Sequence, residues 1–354
     1  MDHSRIDRIE AIIRAHIAEG RQHGASFAIA HRGGVIAHRV LGEARAGAPA
    51  GDDTLWLLYS NTKVITACAV WMLAEEGRIR FEDPVALHIP GFSKYGKGGI
   101  TIIQLLSHQG GFPNAAVPPE AWEDPALLAE VVCDFTLEFT PGSRVHYHAA
   151  AAHWVAAVLI RRVTGQDHRD FIRERIIRPL GLEKELFVGL PDAAHPRASD
   201  MHDVTELGLV PRMPECGPAH RRAGVPGGGG YATARAMALF YQSLLGNGPR
   251  LVSRRTIQYV TRNFTGDRPD LAQGVPMHRG LGPHSRGVSD TIRGLGTIAH
   301  PLTFGHGGVG SSYVWGDPDS GLSFAFLSNA RQSDEDWHVA RMDVLSNLAH
   351  AALG

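Results

Sequence analysis

A serine and a lysine stand three residues apart in Ser60-Asn61-Thr62-Lys63. On a helix, residues i and i+3 share one face, so this hydroxyl and this amine can meet. A serine hydroxyl is a poor nucleophile at neutral pH until a neighbouring base takes its proton. A lysine serves as that base when burial or a nearby cation lowers its pKa. The same pattern also arises by chance, as an N-cap serine followed by a surface lysine. The residues after Lys63 favour chemistry. Val64 to Ala74 is an apolar run of helix length, closed by Glu75-Glu76-Gly77 with a glycine suited to a C-cap. The run is apolar nearly all round, which predicts a helix buried in the protein. Its eleven residues are too few to cross a bilayer. A lysine at the mouth of such a helix lies where desolvation lowers its pKa.

The remaining elements must hold that pair in place. Residues 4–20 carry Ile6, Ile9, Ile12, Ile13 and Ile17 at helical spacing and predict an amphipathic helix. Ser26–Ala30 and Val35–Val40, separated by Arg32-Gly33-Gly34, predict a β-hairpin. A second hairpin is expected from Ser312–Trp315 and Leu322–Leu327 around Asp317–Gly321, with a closing helix over 335–351. Strands thus gather at both ends of the chain, and the middle is richer in helical patterns and loops. The expected class is α+β: an antiparallel sheet built from both termini and covered by helices. Residues 1–85 and 225–354 would form that sheet unit. Residues 86–224 would form a mainly helical insertion, with the active site between the two. The run Gly227–Gly230 lacks G-x-G-x-x-G spacing and is expected as a tight turn before a helix at 233–245.

Bulk properties narrow the function. The 354-residue chain is 44% apolar, enough for a substantial core. Its net charge is −1 with no long block of like charge, which argues against nucleic acid or an anionic membrane as main partner. No apolar h-region opens the sequence and no run has transmembrane length, so a cytoplasmic protein is expected. Cys68, Cys133 and Cys216 are far apart and form no C-x-x-C pair, which fits a reducing compartment without a disulfide framework or zinc site. Cys68 is expected to pack as a small hydrophobe. Histidines number twenty, with His146, His148 and His153 close together, yet no H-E-x-x-H occurs. Neither a metal nor another cofactor is expected.

Two further stretches matter through their order relative to Ser60. Pro141–Ala149, containing His146-Tyr147-His148, precedes an apolar helix from Ala150 to Val163. Phe304-Gly305-His306-Gly307-Gly308-Val309-Gly310 precedes the last hairpin. Together with Ser60–Lys63 they make the chain resemble the serine β-lactamase and penicillin-binding-protein superfamily. Within it, the class C-like branch with the family VIII carboxylesterases is the best match. Ser60–Lys63 matches the S-x-x-K motif. Tyr147-His148-Ala149 falls where the branch has Y-x-N, and His306-Gly307-Gly308 where lactamases have K-T-G. Leu105–Gly111 looks like its L-L-x-H-x-x-G loop, and Ala223 to Ala236 is also similar. The resemblance spans roughly residues 5–350.

The resemblance implies a β-lactamase-like fold and acyl transfer without metal or cofactor. Ser60 would be the nucleophile, and Lys63 the base, either directly or by holding Tyr147 as a phenolate. Tyr147 would protonate the leaving group. The backbone N–H groups of Ser60 and Val309 would form the oxyanion hole. His148, His306, Gly307 and Gly308 would bind substrate, the two glycines by letting the strand edge approach the scissile group. Ala149 replaces an asparagine, His306 a lysine and Gly307 a threonine, and these departures favour a small-molecule ester over a β-lactam. The alternatives are an amidase, D-aminopeptidase, weak β-lactamase or transesterase on the same scaffold, and a non-catalytic penicillin-recognising sensor. No G-x-S-x-G elbow is present, which disfavours an α/β-hydrolase. Loops 112–125 and 264–300 are expected around the pocket, where Trp122, Phe264 and His284 would line it or cover the core.

Overall fold

The computed structural model describes residues 2–353. The helices that frame the site are α1 (His3–Ala18), α2 (Thr62–Glu75), α3 (Ala151–Thr164), α4 (Ala234–Leu244) and α5 (Glu335–Ala351). The main strands are β1 (Gly24–His31), β2 (Gly34–Arg45), β3 (Ala48–Pro49), β4 (His284–Ser285), β5 (Phe304–Gly308), β6 (Ser312–Asp317) and β7 (Leu322–Ser328). They make one seven-stranded sheet in the order β4-β5-β6-β7-β1-β2-β3. Every pairing in it is antiparallel. The two ends of the chain therefore meet inside the sheet, where β7 pairs with β1.

The β1–β2 turn is built on Arg32 (φ 48°) and Gly33 (φ 87°), both left-handed, the twist that suits a two-residue hairpin. Side chains alternate across the sheet. On one face Phe27, Ile29, Trp315, Phe324 and Phe326 pack with Ile6, Ile9 and Ile13 of α1 and Met342 and Leu345 of α5. On the other, the small residues Ala28, Ala30 and Ala325 share a core with α2, α3 and α4. Because helices cover both faces, β1 is buried along nearly its whole length and shows no polar alternation.

Helix α2 is the centre of that second core. Thr62 through Leu73 are all buried, as the all-round apolar pattern predicts. Cys68 packs there as a hydrophobe, and all three cysteines are free. Helix α2 ends just before Gly77, whose φ is 70°. The middle of the chain contains short strands that the pattern did not predict: Leu186–Val188, His202–Thr205 and Gly208–Pro211. They are only a few residues long, and Leu186–Val188 and His202–Thr205 pair with distant segments, so they carry little local signal. Among the described residues, no helix is long and apolar enough to cross a membrane.

Candidate active site

Ser60 lies on a single 3₁₀ turn, Tyr59–Asn61, that runs directly into α2. Tyr59 has φ 44°, the left-handed region, at a cost on the order of 1 kcal/mol for a residue with a Cβ. The turn is held from several sides. Asn61 is fully buried and donates through Nδ2 to Leu58 O (3.0 Å) and Ser312 Oγ (3.0 Å). Leu58 N donates to Gly230 O (2.8 Å), and Gly230 N donates to Thr62 Oγ1 (2.9 Å). The glycine run is thus more than a turn: it docks on both flanks of the serine before α4 begins.

The i, i+3 spacing brings Lys63 Nζ to 3.1 Å from Ser60 Oγ. The amine is fully buried and also donates to Ala149 O (2.6 Å) and Gly227 O (2.7 Å). Burial holds its pKa well below the usual lysine range, and the Arg279 guanidinium adds to that. Tyr147 arrives from the segment before α3. Its hydroxyl donates to Ser60 Oγ at 2.7 Å. Burial pushes the phenol up to about 12, outweighing the opposing pull of Arg279.

The loop Leu105–Gly111 is the template on which Tyr147 is laid. His108 sits at φ 62°. Its carbonyl accepts from His146 N (3.0 Å) and its Nδ1 from His148 N (3.0 Å), so it pins both neighbours of the tyrosine. Asp270 fixes the tyrosine itself, accepting from Tyr147 N on Oδ1 at 3.0 Å. Asp270 Oδ2 accepts from Arg279 Nε (3.0 Å) and Nη2 (2.7 Å), and the guanidinium lies 4.7 Å from the Tyr147 ring centre. Neither residue belongs to a motif. A charged pair in a loop more than a hundred residues downstream gives no local sign that it faces this tyrosine.

The residues expected to bind substrate divide into two kinds. His148 is a correction: it is fully buried, its Nδ1 bonds His146 O (2.7 Å) and its Nε2 accepts from Phe112 N (3.2 Å). Both nitrogens are committed to the backbone, and none remains for a substrate. Gly307 and Gly308 are also held small by their own neighbours. A Cβ on Gly308 would stand 2.5 Å from Leu58 O and 2.3 Å from Ser312 Oγ. A Cβ on Gly307 would stand 2.7 Å from the Tyr313 ring. These contacts bring β5 close to its own neighbours, including the turn that carries Ser60. His306 remains available. Its Nδ1 bonds Gly307 O (2.7 Å), which can only accept, so the proton sits on Nδ1. That leaves Nε2 as a buried acceptor without a partner, on a ring centred 6.0 Å from the Tyr147 ring. Burial, with Lys63 and Arg279 nearby, keeps His306 neutral. Val309 comes just after the end of β5 and is about half exposed. His284 is buried, with Nε2 2.6 Å from Tyr313 Oη. Trp122 and Phe264 pack against the main core. No group of three or more histidine, cysteine or acidic side chains is placed to hold a metal among the described residues.

Known proteins share this architecture. The chain is similar to the esterase/beta-lactamase LipL of Mycobacterium tuberculosis, with 30% identity over 323 residues, 80% of this chain and 72% of LipL. The crystal structure of a family VIII carboxylesterase superposes with a TM-score of 0.85 at 28% identity, covering 98% of this chain and 97% of that one. A penicillin-binding protein homologue from Caulobacter crescentus gives a TM-score of 0.83, also at 28% identity and covering 98% and 97%. The family model described as Beta-lactamase matches residues 9–349, nearly the whole chain. A sheet closed by both termini, a serine at the head of its buried helix and this match along the chain agree, and the protein belongs to the beta-lactamase family of serine hydrolases.

Proposed function

We propose that this protein cleaves carboxylic esters of small molecules through an acyl-enzyme on Ser60. The observation that carries the proposal is the surroundings of Lys63 Nζ. Two backbone carbonyls, Ala149 O and Gly227 O, take two N–H groups of a fully buried amine. In the neutral amine the remaining lone pair faces Ser60 Oγ, 3.1 Å away. Lys63 is then the first base. Tyr147 enters as a phenol, since its pKa is raised, and donates to the same oxygen.

In the first step Ser60 gives its proton to Lys63 and attacks the ester carbonyl. The backbone N–H groups of Ser60 and Val309 receive the oxyanion; one such donor is typically worth about 10²–10³ in rate. Tyr147 passes its proton to the departing alkoxide and is reprotonated by the Lys63 ammonium. Water, or an acceptor alcohol, then takes the place of the leaving alcohol, and the steps reverse. The site would lie between the sheet unit, residues 1–85 and 225–354, and the insertion, residues 86–224.

Uncharged esters are the preferred class. His306 stands neutral where a fixed lysine charge would attract a carboxylate. Ala149 has no side-chain amide to hold a substrate amide. LipL and the family VIII carboxylesterase bear esterase names, in keeping with this choice. The test is steady-state turnover of p-nitrophenyl esters of increasing acyl length beside a chromogenic cephalosporin. Ester turnover should exceed lactam turnover. Ser60→Ala should lose a factor on the order of 10⁴–10⁶ in kcat while its melting curve persists. Lactam turnover matching the esters would overturn the substrate assignment, and an active Ser60→Ala would overturn the nucleophile.

A further inference from the structure

Arg279 and Asp270 form a buried ion pair beside Tyr147. Asp270 is fully buried and Arg279 nearly so. The carboxylate is saturated: Oδ1 accepts from Tyr147 N (3.0 Å) and Ala272 N (3.1 Å), and Oδ2 from Arg279 Nε (3.0 Å) and Nη2 (2.7 Å). One carboxylate therefore places both the tyrosine backbone and the guanidinium. Arg279 is further registered by its main chain, with its N–H donating to Thr265 Oγ1 (3.1 Å) and its carbonyl accepting from Phe264 N (2.9 Å). The outcome is a permanent cation 4.7 Å from the centre of the Tyr147 ring. Taking two charges out of water is expensive, and a neutral packing solution is often as stable. A charged pair at this spot fits an electrostatic role.

We infer that Arg279, held by Asp270, is a positioning residue that strengthens Tyr147 as the proton donor to the leaving alcohol. When Tyr147 gives up its proton, the O–H bond breaks, a new O–H bond forms on the departing alkoxide, and negative charge appears on the phenolate beside the guanidinium. A cation already fixed there stabilises that charge with no rearrangement. The same charge opposes protonation of Lys63, which keeps the amine in its basic form. The Asp270 carboxylate works against the guanidinium at the phenol, but its effect there is the smaller of the two.

The inference rests on the ester-hydrolase reading and predicts a dependence on the leaving group. A strongly basic alkoxide needs the proton as it departs, whereas p-nitrophenolate leaves without it. The experiment compares kcat/KM for an ethyl and a p-nitrophenyl ester of the same acid. Arg279→Gln should lose about tenfold more on the ethyl ester than on the p-nitrophenyl ester. Arg279→Lys, which keeps a cation, should recover most of that difference. Tyr147→Phe should show the same selectivity, and Arg279→Gln added to it should not widen the ratio further. If Arg279→Gln does not fold, the double variant Asp270→Asn/Arg279→Gln removes both buried charges and keeps an acceptor for Tyr147 N. It should show the same widened ratio. Equal losses on both esters in the folded variant would reduce the pair to a structural brace and overturn the inference, leaving the hydrolase reading intact. A wild-type protein that turns over neither ester would overturn both.

Discussion

At the scale of single residues, the site is a serine oxygen shared by an amine and a phenol. Burial decides the roles of those two groups. Lys63 is driven towards neutrality by burial and by Arg279, and Tyr147 is driven towards its protonated form by burial. These directions set the sign of the pH dependence. A base with a depressed pKa is lost as pH falls through that value, so kcat/KM should fall on the acid side as Lys63 becomes an ammonium. On the alkaline side activity should hold until pH nears about 12, where the phenol ionises. Lys63→Arg places a group there that stays protonated, and should lose the plateau at every pH. A pH–rate profile of wild type and variant on one ethyl ester, whose leaving alkoxide needs the Tyr147 proton, checks this. A Lys63→Arg enzyme with a wild-type profile would pass the role of base to another group.

At the scale of elements, β5 comes close to the turn before α2, and the proposed oxyanion site should depend on that contact. Gly308 is where they meet, and it has no room for a methyl group: Leu58 O lies 2.5 Å from its would-be Cβ. Gly308→Ala should push β5 away from Ser60 and move Val309 with it. The expected cost is about 1–3 kcal/mol of stability, with a fall in kcat larger than any change in KM. Urea unfolding beside steady-state kinetics reads both. An unchanged kcat in a destabilised variant would show that the oxyanion site does not depend on this contact. Helix α2 is well suited as the anchor, since Thr62 to Leu73 are all buried and the turn that starts it cannot shift without disturbing the core.

At the scale of the molecule, the surroundings of Tyr147 hold a concentration of buried imidazoles. His108, His148, His153, His284 and His306 are all buried, and burial keeps each of them neutral. Unfolding would return them to water, where they take up protons below the ordinary value of 6.5. In that range the unfolded chain binds more protons, so stability is full above pH 6.5 and falls as pH drops towards the native values. His148, depressed to about 4, by itself contributes about 3 kcal/mol of this loss. Stability should therefore begin to fall just below pH 6.5, well above the carboxylate range. Urea midpoints measured between neutral pH and about pH 4 test it, and midpoints flat down to about pH 5 would contradict it.

Much of this architecture could be read from the residues. Helices α1, α2, α3, α4 and α5 and both hairpins are close to their expected positions, because each carries a strong apolar period or turn signal over enough residues. The motif order around Ser60, Tyr147 and His306 marked the family. What the sequence could not supply were contacts between residues with no periodic or spacing relation. These include the Asp270–Arg279 pair, the carbonyls of Ala149 and Gly227 that hold Lys63, and the imidazole of His108 that registers Tyr147. Backbone carbonyls have no sequence identity, and a loop charge reveals its partner only once the chain is folded. The misassigned role of His148 has the same origin. A residue type states what a side chain can bond, but the tertiary structure decides which bonds are already taken. The chemistry was thus written locally, in a serine and a lysine one helical turn apart, while the protonation states that let them work arise from burial, which only the assembled core creates.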